Sequence, residues 1–146
     1  SGLTHENRIT PQDLSSLLRK IYYDMSVAPE FMSSLAVAGI DGTIRNRFMG
    51  TDAVGLVRAK TGTLNGVSAL SGYVGDKDDV LIFSIFVEGF RHRRTNEVRH
   101  AQVRLVEAML SYLRSDESSP NAGERDSEVP GAADDSEADG DLDPSP

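Results

Sequence analysis

The stretch Arg58-Ala59-Lys60-Thr61-Gly62-Thr63-Leu64 is followed by Asn65-Gly66 and then by Val67-Ser68-Ala69-Leu70-Ser71-Gly72-Tyr73-Val74-Gly75. Leu56-Val57 open an extended run ahead of it, and residues 67–75 alternate loosely between apolar and small side chains. Asn-Gly between two such runs is a strong hairpin signal, because both residues tolerate positive φ. A third run, residues 80–88, follows Asp76-Lys77-Asp78-Asp79, a segment with the composition of a hairpin turn. Strands over roughly 56–63, 67–75 and 80–88 are therefore expected to form a three-stranded antiparallel meander. The third is apolar at both parities, the pattern of a strand covered on two faces.

Working outward, Thr10-Pro11-Gln12-Asp13 is a helix start. Thr10 can cap, Pro11 loses nothing in a first turn that has no use for its N–H, and Asp13 sits at the positive end of the dipole. Leu14, Leu17, Leu18, Ile21, Tyr22 and Met25 then recur at helical spacing, up to the break set by Pro29. A short helix is expected over Pro29–Leu35, a small apolar passage through the core over Ala36–Ile40, and another helix start at Asp41-Gly42-Thr43. Beyond the meander, Val98, Ala101, Leu105, Met109 and Tyr112/Leu113 predict a long one-sided helix over Arg93–Leu113, laid against the sheet. Helices, three antiparallel strands, then a helix is an α+β order.

Charge divides the chain. Residues 115–146 carry eleven acids against Arg125 alone, with Val129 and Leu142 as the only large apolar residues. That is too little apolar surface to offset the entropy of ordering, so a disordered acidic tail is expected there. Residues 1–114 carry twelve acids and fourteen bases, so the formal net charge of −8 describes the tail. It does not indicate a nucleic-acid partner. No stretch approaches the roughly 20 apolar residues of a membrane span. There is no cysteine, hence no disulfide and no thiol nucleophile. His5, His92 and His100 have no metal-like spacing and read as surface residues; no metal or cofactor is expected. No signal peptide is visible and the chain begins at Ser1, so a missing upstream part is expected.

Lys60-Thr61-Gly62 on a strand is one of three short motifs shared by penicillin-binding proteins and serine β-lactamases, alongside Ser-x-x-Lys and a Ser-x-Asn triplet. The chemistry asks for a lysine facing a cleft and a glycine whose missing side chain leaves room for a ligand. The flanking sequence adds Ser1-Gly2-Leu3, Asn7-Arg8, Thr10-Pro11, Val37-Ala38-Gly39-Ile40-Asp41-Gly42-Thr43-Ile44 and Arg47-Phe48. Val67-Ser68-Ala69-Leu70 and Gly72-Tyr73-Val74 continue it. Together these resemble the D-alanyl-D-alanine carboxypeptidase/endopeptidases, the class C low-molecular-mass penicillin-binding proteins. The resemblance runs over about residues 1–113 and corresponds to the C-terminal part of that family's transpeptidase-like domain, with 115–146 as a separate tail.

The resemblance implies a role for each motif residue. Lys60 would present its ammonium to the substrate's terminal carboxylate and tune the proton network. Thr61 and Thr63 hydroxyls would bind that carboxylate beside Gly62, and the Thr63 backbone N–H would be one oxyanion donor. The partners implied are the D-Ala-D-Ala end of a peptidoglycan stem peptide and β-lactams as inhibitors, in the periplasm or cell envelope. The sequence departs from the family pattern at the nucleophile. Ser15, Ser16, Ser26, Ser33, Ser34, Ser68, Ser71 and Ser84 all lack a lysine three residues on. Ser119-Pro120-Asn121 fits the triplet only formally, within the acidic tail. The nucleophile is expected outside this chain, which alone should be inactive. Two alternatives stand beside this: a truncated, non-catalytic homologue that binds a peptide or protein partner, and an unrelated α+β interaction domain.

Overall fold

The computed structural model describes residues 6–76 and 79–117, without the side chain of Glu117. Helix α1 spans Pro11–Tyr23 and α2 spans Ala28–Ser34. Strand β1 is the two residues Ala36–Val37; β2 is Val57–Leu64, β3 Val67–Gly75 and β4 Val80–Glu88. Helix α3 runs Thr95–Glu117. The sheet is fully antiparallel in the order β1-β2-β3-β4. It therefore has four strands where the sequence predicts three. The passage at Ala36–Val37 does not simply cross the core but pairs with β2, Ala36 opposite Ala59 and Val37 opposite Arg58. Two residues are too few to register any period-2 pattern, which hides β1 in the sequence.

The N-terminus of α1 forms as its residues dictate. The Asp13 backbone N–H donates to Thr10 Oγ1 at 3.0 Å, and the Thr10 hydroxyl donates to the Asp13 carboxylate at 2.6 Å. The strands deal side chains to opposite faces, and each face acquires its own core. Val57, Ala59, Leu70, Val74 and Phe83 pack with Ile44, Phe48 and the α3 residues Val103, Val106 and Leu110. On the other face Tyr73, Val80 and Ile82 meet Leu14, Leu18, Tyr22 and Phe31 from α1 and α2, and Leu35 just after α2. Both faces of β4 are thus covered, as its double-sided apolar pattern requires.

The inward face of α3 is turned relative to the expected stripe. Gln102, Val103, Val106, Leu110 and Leu113 are buried, whereas Leu105 and Tyr112 are exposed. A polar residue, Gln102, occupies an inward position because its amide is fully hydrogen-bonded there; hydropathy alone assigns it to solvent. The helix also begins two residues later than expected, after a 3₁₀ turn at His92–Arg94, and continues to Glu117. The central residues of the expected Asp76–Asp79 turn, His5, and residues 118–146 of the acidic segment lie outside the described residues.

Candidate active site

Lys60, Thr61, Gly62 and Thr63 lie on β2, and the geometry of that strand fixes what each presents. The Gly75 N–H donates to Leu56 O at 3.0 Å and the Ala38 N–H to Val57 O at 2.9 Å. Residues 56, 58, 60, 62 and 64 therefore turn their backbone groups to β3, and 57, 59, 61 and 63 to the β1 side. Strand β1 begins at Ala36, opposite Ala59; before it, Leu35 caps α2. Past Ala59 the edge has no strand partner among the described residues. The backbone N–H groups of Thr61 and Thr63 face outward along it.

The side chains alternate. Thr61 and Thr63 pair in register with Leu70 and Ser68 and share the α3 face, while Lys60 and Gly62 pair with Ser71 and Ala69 on the α1 face. The Lys60 ammonium does not stay on that face. It bends back over the edge and donates to its neighbour's carbonyl, Thr61 O, at 2.8 Å. The Thr61 hydroxyl donates to the Thr43 hydroxyl at 2.9 Å, tying β2 to the 3₁₀ turn Gly42–Ile44, whose Ile44 is fully buried. A groove of about 750 Å³ runs along this edge, lined by Lys60 to Thr63 together with Thr43, Arg47 and Arg99. On the α1 side a smaller apolar hollow of about 260 Å³ reaches the same strand, walled by Leu14, Leu18, Phe31, Leu35 and Phe86.

Beneath the groove lies a polar network that sequence reasoning missed. Gln102 is fully buried and bridges three elements: its Nε2 donates to Ser68 O at 3.2 Å and Ile85 O at 3.3 Å. Its Oε1 accepts from Ser68 Oγ at 3.1 Å and from Arg47 Nη2 at 2.6 Å. Arg47 Nη2 also donates to Arg99 O at 3.4 Å. Burial, with the Arg99 charge adding to it, pushes the Arg47 guanidinium down to about 10. The one sequence signal was a glutamine amid an apolar stripe, four residues from the turn where Val98 begins it. Among the described residues there is no group of three metal-ligating side chains, and no helix is long and apolar enough to cross a membrane.

The family model of the D-Ala-D-Ala carboxypeptidase 3 (S13) family matches residues 1–109. The chain belongs to that family. It is 44% identical over 94 residues to a D-alanyl-D-alanine carboxypeptidase of an Actinomadura species, covering 61% of this chain and 17% of that protein. Carboxypeptidase DacB of Mycolicibacterium smegmatis is 36% identical over 121 residues, 79% of this chain and 25% of the relative. A penicillin-sensitive carboxypeptidase A of Dictyostelium discoideum is 33% identical over 103 residues, 66% of this chain and 20% of that one. Among solved structures, penicillin binding protein 4 (dacB) of Haemophilus influenzae, complexed with a novel β-lactam, superposes with a TM-score of 0.64 at 28% identity. The match covers 75% of this chain and 27% of that one. The chain thus spans a quarter or less of the length of these curated relatives. This family membership excludes the unrelated interaction domain as an alternative.

Proposed function

We propose that this chain supplies the Lys-Thr-Gly-Thr strand of a serine D-Ala-D-Ala carboxypeptidase/endopeptidase acting on peptidoglycan peptides in the cell envelope. The observation that carries it is the open edge of β2 at Thr61 and Thr63, with Lys60 folded over it at the lip of a groove. Acyl transfer requires a fixed donor where negative charge develops on the scissile carbonyl, and such a donor is worth about 10²–10³ in rate. The Thr63 N–H meets that need without reorganisation, since β3 holds the strand along its whole length. Lys60 and the threonine hydroxyls hold a carboxylate by charge-assisted hydrogen bonds. Gly62 leaves the strand surface low, so that an extended peptide can lie against it.

The reaction in this reading runs through an acyl-serine, and β-lactams stop it by acylating the same serine. The serine and its lysine base come from outside these 146 residues, because no serine with a lysine three positions on is present. Incubation with a fluorescent penicillin followed by peptide mass spectrometry tests this. The chain alone should carry no adduct. A protein that joins it to a segment bearing Ser-x-x-Lys should carry one, on that serine. An adduct on any serine of the 146 would contradict the division of labour, and none on the longer protein would favour the non-catalytic homologue.

A further inference from the structure

Lys60 is not the only cation at the groove. Arg47 and Arg99 stand on its α3 side, both half-buried, and among the described residues neither has a carboxylate within ion-pairing distance. Two cations placed together without a counter-charge repel and lose hydration, so such an arrangement is costly unless an anion completes it. The position of Arg47 is fixed by its contacts. Arg47 is pinned through Nη2 by Gln102, whose amide is anchored to β3 and β4, and it also touches the α3 backbone at Arg99 O. Its Nη1 edge has no hydrogen-bond partner among the described residues. A guanidinium held in one orientation beside a second is pre-organised for a planar anion, because little side-chain entropy remains to be lost on binding.

We infer that Arg47 and Arg99 form a carboxylate-binding subsite on the α3 side of the groove, which holds the free carboxylate of a peptide lying along β2. This rests on the proposed function for the identity of the ligand. It assigns the selection of a free carboxylate to these two arginines as well as to the Lys60–Thr63 edge. A peptide whose end is amidated, or which continues past this point, leaves the pair uncompensated.

The test uses the 146-residue chain and two small probes, N-acetyl-D-alanine and its C-terminal amide, at constant ionic strength. Arg47 Nε is sheltered from water, so its N–H resonance is a usable reporter in heteronuclear NMR, alongside that of Arg99. The acid should shift both resonances saturably and the amide neither. Arg99→Gln, which keeps the backbone carbonyl that Arg47 touches, should weaken the acid roughly tenfold, the loss of one charge-assisted hydrogen bond. No shift, equal shifts with the amide, shifts confined to the Lys60–Thr63 backbone, or an unchanged affinity in Arg99→Gln would each overturn the subsite. The penicillin experiment is independent of this one. Carboxylate binding without an adduct on the longer protein would sink the proposed function alone, and an adduct without arginine shifts would sink this inference alone.

Discussion

Tyr73 illustrates how a single residue ties a helix to the sheet. Its ring is buried in the α1 face, 5.6 Å from the Tyr22 ring centroid, and its hydroxyl donates to Leu18 O at 2.9 Å. Burial, and then the proximity of Tyr22, raise its pKa above the usual tyrosine value. The neutral phenol is therefore favoured in the folded state. The stability this confers is complete below the unfolded-state pKa of about 10 and is lost as pH rises through the folded-state value. Tyr73→Phe should lower stability by about 1 kcal/mol near neutral pH, for the lost hydrogen bond. It should also flatten the decline in urea midpoint above about pH 10. Parallel declines in the two proteins would show that Tyr73 titrates as it does in the unfolded chain. The sequence places Tyr22, whose ring packs against Tyr73, on the apolar face of the first helix. It gives no sign that Tyr73 reaches helix α1, because that contact depends on which face of β3 the helix covers.

At the level of elements, the pairing of β2 with β3 carries the candidate site. The hairpin was legible because Asn65-Gly66 and the flanking patterns agree, and β3 and β4 occupy the residues expected of them. Gly72 shows how closely the strands approach. A methyl group there would stand 2.1 Å from Arg58 O and 2.7 Å from Ala59 Cα, both backbone atoms that cannot swing aside. Gly72→Ala should force β2 off β3 and cost about 3 kcal/mol or more, read as a fall in melting temperature on the order of 10 °C. Gly62→Ala, whose methyl would meet only Ala69 Cβ at 3.3 Å, should be far milder. Equal melting temperatures for the two variants would mean that the strands are not this close. Two element-scale features were not legible. β1 is too short to carry a pattern, and the rotation of α3 follows from Gln102, whose burial is favourable only because Arg47, Ser68 and Ile85 supply its partners. Long-range partners of that kind leave no local trace in a sequence.

At the scale of the whole molecule, two helical layers clamp a four-stranded sheet, and one edge of β2 is left open beside Lys60. Lys60 to Thr63 were legible as a group because they are contiguous on one strand. The Arg47–Gln102 support and Arg99 were not, because they come from separate elements that only the fold brings under one groove. The family relation extends through both helical layers, since residues 1–109 match, and in the proposed function the open edge is one wall of a larger site. In the proposed function, catalysis depends on Lys60 and on the strand edge beside it. The most direct measurement is the second-order rate of acylation by a fluorescent penicillin, in a protein that joins this chain to a Ser-x-x-Lys segment. It compares Lys60→Ala with Lys20→Ala, a change at an exposed lysine on α1 away from the groove. The expected result is a fall on the order of 10²-fold or more for Lys60→Ala, with Lys20→Ala unchanged. Equal rates in the two variants would contradict the claim.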